Sequence, residues 1–277
     1  MTHQAFSHEE RPELGSSWDE VVAPAWPRFM FEDAVCNRFW SGLTRRFPSF
    51  QIYLVAQDSG RVVGHANSIP FAWSGAPADL PDGVNGVLPL AFEQLEQGLA
   101  PNALCALQAV VLPSAQGQGL STIIIKAMRD AASRHGLADL VAPVRPNQKH
   151  LYPLMPMESY ASWTRADGMP FDPWMRVHAR LGGQIMGVCQ GSNVVQGTIA
   201  EWQEWTGLTF PVSGEYVVHG ALVPVSISVE HDLGRIAEPN VWMRHRLRDA
   251  RWIEGPRQVV AGVAGLQGVG RSLLGDR

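Results

Sequence analysis

Hydrophobic residues recur at three- and four-residue intervals from Trp18 to Leu43, through Val21, Val22, Trp26, Phe29, Met30, Val35, Phe39 and Trp40. This is helical periodicity, broken by Pro24 and Pro27, and it predicts two or three short helices over 18–46. The pattern then shifts to β-rich runs at 50–56 and 61–70 on either side of Gln57-Asp58-Ser59-Gly60, which predicts a hairpin. Residues 71–103 scatter Gly, Pro and Asp around Phe92, Leu95 and Leu99 and read as an inserted loop followed by a short helix. Residues 103–112 are apolar apart from Gln108, which predicts a central strand buried on both faces and ended by Pro113.

Beyond a Gly-rich stretch, Ile124, Ala127, Met128, Ala131 and Ala132 share one helical face. Lys126, Arg129, Asp130 and Arg134 lie off it, and Gly136 closes the helix. A second apolar strand at 139–144 completes a strand, loop, helix, strand unit whose strands should run parallel or nearly so. Residues 146–173 lose all regular patterning and are read as an ordered lid. A helix over 174–181 ends at Gly182-Gly183, a strand follows at 184–188, and 215–230 closes the sheet. The expected organisation is one α+β domain over 1–250, with insertions at 71–103 and 146–173. A Gly-rich tail follows over 251–277. Helices lie on both faces of a mixed sheet.

Composition narrows the function classes. With 22 Lys and Arg against 26 Asp and Glu, the formal charge of −4 leaves no basic excess for nucleic acid. Three separated cysteines among apolar neighbours suit buried thiols rather than a disulfide framework. The N-terminal residues lack a signal-peptide pattern, and no apolar run reaches the roughly 18 residues that span a bilayer. A soluble, cytoplasmic protein is expected. The nine histidines show no metal-site spacing with Cys, Asp or Glu, so no metal is expected.

The chemistry concentrates in Gln116-Gly117-Gln118-Gly119-Leu120-Ser121, between the buried strand and the amphipathic helix. Glycines there permit unusual backbone angles, and a helix start offers a row of N–H groups with about half a positive charge, a combination that binds phosphate. Gly-x-Gly alone is equally compatible with a plain tight turn. Thr122 replaces the third glycine of a dinucleotide fingerprint, and no Gly-Lys-Ser/Thr is present, so neither a Rossmann site nor an NTPase loop fits.

The stretch Val110-Val111-x-Pro113-x-x-Gln116-Gly117-Gln118-Gly119-Leu120-Ser121 resembles the acyl-CoA pyrophosphate loop of the GNAT superfamily, Arg/Gln-x-x-Gly-x-Gly/Ala, with Ser121 departing from the last position. His178-Ala179-Arg180-Leu181-Gly182-Gly183 resembles the family's Tyr-Glu-Lys-Leu-Gly-Phe. The resemblance implies a mostly antiparallel central sheet with a splayed parallel strand pair. It also implies a pantetheine arm held by the main chain of Val110 and Val111, and His178 in the place of a tyrosine that protonates the leaving thiolate. The donor is acyl-CoA, or acyl-phosphopantetheine on an acyl carrier protein, which Lys126, Arg129 and Arg134 would meet. The acceptor is the amine of a small molecule. The alternatives are a non-catalytic acyl-thioester sensor and a protein-modifying acetyltransferase, the latter disfavoured by the lid.

Aminolysis of a thioester calls for a base, an oxyanion donor and an acid. The predicted central strand holds no carboxylate, which leaves Gln108 to hold a water or to pair with its neighbours. Asp33, His65, Glu158 and Asp172 are further bases or amine anchors, although Asp172 precedes Pro173 and reads first as a helix cap. Tyr152, Tyr160 and Trp163 are either walls for an organic acceptor or packing of the lid onto the core. Cys105 reads as core packing.

Overall fold

The computed structural model describes residues 2–247. Nine strands form one sheet: β1 (His3–Ser7), β2 (Gln51–Ala56), β3 (Val62–Phe71), β4 (Ala103–Val111), β5 (Asp139–Val144), β6 (Gln184–Gly197), β7 (Gly214–Tyr216), β8 (Val225–Ser228) and β9 (Leu233–Arg246). The helices are α1 (Trp18–Val21), α2 (Ala34–Arg46), α3 (Gly83–Glu96), α4 (Leu120–Arg134), α5 (Met157–Ala161), α6 (Pro173–Arg180) and α7 (Ile199–Thr206). The strand order is β1-β2-β3-β4-β5-β9-β8-β7, and β6 takes the other edge of β9. Every described pairing is antiparallel except that of β4 with β5. The α+β fold and mostly antiparallel sheet expected from the sequence are present.

Two irregularities position everything that follows. The parallel pair meets only where Ala103, Leu104 and Cys105 oppose Asp139, Leu140 and Val141; beyond that point β4 and β5 part. On its other edge, β4 bulges. Asn67 faces Gln108 while Ser68 faces Ala106, so Leu107 is an extra residue that bends the strand where β5 leaves it. From Ala106 onward the inner edge of β4 therefore has no strand partner.

Side-chain contacts separate the two faces. A Cβ on Gly64 would strike Ile124 of α4, and His178 of α6 bonds His245 of β9, which puts α4 and α6 on one face. On the other face, Ser192 on β6 accepts from the Val84 N–H at the start of α3 and from Asn240 on β9. Asn193 there reaches Asp33, which caps α2.

Sequence patterning located the core helices well. α4 buries Leu120, Ile124, Ile125, Met128, Ala131 and Ala132, close to the expected stripe, and α6 lies within a residue of its expected bounds. β9 was not anticipated. Its Arg, Glu, Pro and His residues argue against a buried strand, yet it is central because two of its inward charges are answered: Arg244 pairs with Asp139, and Glu238 pairs with Arg145. β6 extends nine residues past the expected end at 188, because β9 supplies its partner again from Asn193 to Gly197, beyond an irregularity at 190–192. Residues 251–277 lie outside the described residues.

Candidate active site

The parting of β4 and β5 opens a cleft of about 500 Å³ through the sheet. Leu120, Ile125, Met128, Val177 and His178 line it from the α4 and α6 face. Trp26, Val84, Arg145, Asn193 and Asn240 line it from the α2 and α3 face. A molecule bound on one side of the sheet therefore meets one bound on the other at the free edge of β4.

The loop at 116–121 forms one mouth of the cleft. Gly117 and Gly119 have φ of +78° and +75°, in the left-handed region, and a Cβ on either would meet nothing within 4 Å. Backbone conformation, rather than crowding, is what calls for glycine here. No side chain caps α4, and among the described residues no protein acceptor takes the N–H groups of residues 117–121. Gln116 Nε2 donates to the Val111 carbonyl at 3.3 Å and folds the loop against the end of β4. A row of free N–H groups at a helix start meets the requirement of a phosphate group. Val110, Val111, Gln116, Gly117, Gly119, Leu120 and Ser121 all line the cleft, whereas Gln118 does not.

Deeper in, a chain of amides orients Gln108. Gln51 Nε2 donates to the carbonyls of Phe47 and Ser68, which can only accept, so its Oε1 must face Asn67. Asn67 Nδ2 donates to that oxygen at 3.0 Å, and Asn67 Oδ1 accepts from Gln108 Nε2 at 3.0 Å. The relay leaves Gln108 Oε1 as a fixed acceptor with no protein partner among the described residues, on a side chain that lines the cleft.

His178 lines the same cleft from α6. Its Nδ1 lies 2.9 Å from His245 Nε2, and Trp174 stacks edge-on with its ring centroid 4.6 Å away. Burial, reinforced by the neighbouring His245, pushes the pKa of His178 down to about 3. Burial and then Arg129 push His245 down to about 4, with the Leu181 carbonyl acting weakly in the other direction. Both rings are neutral at pH 7, so one nitrogen of each is a donor and the other an acceptor.

Other candidates lie elsewhere. Asp172 is buried with both oxygens engaged: Oδ1 accepts from Trp174 and Met175 N–H at the start of α6, and Oδ2 accepts from Gln148 N–H and the Tyr160 hydroxyl. Asp33 likewise caps α2 and holds Asn85 and Asn193. Tyr152, Tyr160 and Trp163 stack on one another and on Phe171, and none of them lines the cleft. His65 is buried against Ser17 and Trp18. Cys105 is fully buried, and its thiol is pushed upward by desolvation. Of the basic residues on α4, Arg129 donates to the Leu181 carbonyl and ties α4 to the end of α6, while Lys126 and Arg134 are exposed. Among the described residues no group of three His, Cys, Asp or Glu could hold a metal ion, and no helix is long and apolar enough to cross a membrane.

Sequence reasoning missed Trp26, Arg145, Asn147, Asn193 and Asn240 as lining residues. A signal was present for two of them. Glu238 and Asn240 alternate on β9, and Arg145 directly follows the apolar run of β5. Polar residues sharing one face of a buried strand ask for partners.

No protein-family model matches the sequence. The chain is 32% identical over 255 residues to the arginine N-acetyltransferase avaD of Aspergillus versicolor, covering 82% of this chain and 87% of that protein. Its fold resembles the loading GNATL domain of CurA from Lyngbya majuscula, with a TM-score of 0.53 and 15% identity over 90% of this chain and 99% of that domain. A GphF GNAT-like decarboxylase in complex with isobutyryl-CoA superposes with a TM-score of 0.49 and 17% identity, over 90% of this chain and all of that one. Identity at this level across most of both proteins, carried by a sheet that parts beside an uncapped glycine loop, makes the chain a member of the GNAT superfamily and an acyltransferase.

Proposed function

We propose that this protein transfers an acyl group from acyl-CoA to the amine of a small molecule by direct attack on the thioester. The observation that carries the reading is the cleft through the sheet, with the free N–H groups of 117–121 at one mouth and polar side chains from the opposite face inside it. In this reading the loop takes the pyrophosphate, and the unpaired edge of β4 at Val110 and Val111 takes the pantetheine arm by main-chain hydrogen bonds. The amine enters from the α2 and α3 side. Arginine, on which the relative avaD acts, is the first acceptor to test.

Among the described residues no Asp or Glu lines the cleft, so in this reading the amine arrives neutral or loses its proton to water. Gln108 Oε1 accepts from its N–H and orients the lone pair toward the carbonyl carbon. The N–H lost by the amine and the proton gained by the sulfur balance, giving an amide and free CoA thiol. Neutral His178 assists departure by donating from Nε2 to the sulfur. That tautomer requires Nδ1 to accept from His245 Nε2–H, one of the two arrangements that the 2.9 Å contact allows.

The use of Arg129 to bind Leu181 removes one of three cations from the surface expected to meet a carrier protein, which favours CoA as donor. The test is thiol release from acetyl-CoA with arginine and a panel of other amines, followed by mass spectrometry of the amine. One thiol per acylated amine is expected. Thioester binding with no thiol release for any amine overturns the reading.

A further inference from the structure

The part of the cleft on the α2 and α3 face has a polarity that the transfer chemistry does not require. Among the described residues, Arg145 is its one charged lining residue and no acidic residue lines it. The guanidinium is held rigidly: Nε and Nη2 donate to the two oxygens of Glu238 at 2.7 and 2.9 Å, and Nη2 also donates to the Gly220 carbonyl at 2.6 Å. Nη1 has no protein acceptor among the described residues, although the side chain is only 17% exposed. Glu238 also interacts with the buried Lys149, so one carboxylate is shared between two basic residues. Trp26 lies beside Arg145, with the guanidinium carbon 5.5 Å from its ring centroid. The Trp26 Nε1–H is buried and has no partner among the described residues. Two donors without a protein acceptor, one buried and the other on a cation that lines the cleft, thus share the same stretch of wall.

An acceptor oxygen belongs to the same cleft. The pairing of β5 with β9 ends where Val144 opposes Val241, Arg145 and Asn240 are the residues that directly follow and precede that pair, and both line the cleft. Asn240 is 2% exposed. Its Nδ2 donates to the Pro143 carbonyl at 3.2 Å and to Ser192 Oγ at 2.8 Å. A carbonyl can only accept, so the amide orientation is determined, and Oδ1 is left buried and unpartnered. A buried polar atom without a partner is costly and calls for a ligand.

We propose that this region is a recognition site for an acceptor carrying a carboxylate close to its amine, as in an α-amino acid. The carboxylate takes hydrogen bonds from Arg145 Nη1 and Trp26 Nε1, and the amine donates to Asn240 Oδ1. This deepens the acyl-transfer reading and rests on it for the direction from which the acceptor enters. It also explains a cleft with a cation but no anion: the site selects the acid function of the acceptor, and other parts of the acceptor must reach beyond these residues.

The test compares α-amino acids, headed by L-arginine, each paired with its α-carboxamide, which keeps the amine and removes the charge. Equilibrium binding to the CoA-loaded full chain and steady-state thiol release are both measured. At least one acid is expected to bind 10-fold or more tightly than its carboxamide and to have a correspondingly lower KM. Trp26→Phe removes the unpartnered N–H, keeps an aromatic ring beside Arg145, and should reduce that preference about 3-fold while leaving the KM for acyl-CoA unchanged. Arg145→Gln alone strands the buried Glu238, so it is made together with Glu238→Gln; the double variant should abolish the preference. No discrimination in any pair, or full discrimination retained in the double variant, overturns the proposal. Discrimination in binding without thiol release supports this site and rejects the acyl-transfer reading. Thiol release without discrimination rejects this site and leaves that reading intact.

Discussion

The two ends of the cleft are built by different means. At the end proposed for the donor, consecutive backbone N–H groups of 117–121 lack a protein acceptor among the described residues, and two glycines in the left-handed region shape the loop. At the end proposed for the acceptor, single side chains line the wall: Trp26 ahead of α2, Gln108 on β4, Arg145 after β5 and Asn240 on β9. A backbone site tolerates changes of side chain and is destroyed by blocking its ligand. A side-chain site can be dismantled one group at a time. The same contrast explains how one donor apparatus can serve different acceptors.

The largest effect should come from putting an anion where the phosphate belongs. Ser121 lies in the first turn of α4 and is half-buried, so Ser121→Glu should fold normally and present a carboxylate to the free N–H groups. A loss of about 100-fold in kcat/KM for acyl-CoA is expected from competition and charge repulsion, with the acceptor KM unchanged. Calorimetric titration of CoA separates the binding loss from any effect on chemistry. Unaltered CoA affinity would place the donor elsewhere.

His178→Phe keeps the ring volume and removes the donor to sulfur. A fall of about 100-fold in kcat is expected from losing a positioned hydrogen-bond donor to the charge that develops on the leaving sulfur, with the KM for acyl-CoA within twofold. His245→Phe should reproduce part of that loss without contacting substrate, because His178 is then free to adopt the other tautomer. Equal activity of both variants with wild type would reduce the pair to packing.

These two regions also show what was legible in the amino-acid order. Gln116 to Ser121 is contiguous, with glycines at a fixed spacing between a buried strand and a helix, so the loop now found at one mouth of the cleft could be singled out before any coordinates. The buried strand and the stripe of α4 were legible for the same reason, since their constraints repeat over neighbouring positions. Arg145 and Asn240 are far apart in sequence, and only the pairing of β5 with β9 brings both to the cleft wall. β9 itself was hidden because its polar residues are satisfied by partners far along the chain. Asp172 and Tyr160 were candidates by residue type, and their hydrogen bonds to one another and to α6 direct both away from the cleft.

Acid should weaken the fold through buried histidines before it affects the carboxylates. His65 and His245 are pushed down to about 4 and His178 to about 3, in each case chiefly by desolvation. In the unfolded chain each binds a proton near about 6.5. Between those values the unfolded state holds more protons, so stability is full above about pH 6.5 and falls as pH drops toward 4. Each histidine contributes about 1.4 kcal/mol per pH unit across that window. Denaturant midpoints measured from pH 7 to pH 4.5 should decline steadily, and His65→Phe should flatten the slope by about a third without affecting the cleft. A flat profile would mean that the rings accept protons in the folded state.

The smallest effect separates the lid from the chemistry. Asp172 holds the start of α6 with one oxygen and the lid, through Gln148 and Tyr160, with the other. In Asp172→Asn the amide oxygen can still cap α6, but the amide nitrogen faces the Gln148 N–H, and one buried donor loses its acceptor. That change should cost about 1–3 kcal/mol of stability. The kcat should stay within about twofold, because α6 still carries His178 into the cleft. Thermal melts and steady-state assays on the same preparation decide the matter. A loss of turnover of 100-fold with an unshifted melt would mean that Asp172 takes part in the transfer, and the side chains serving the acceptor would then have to include a carboxylate from beyond the cleft wall.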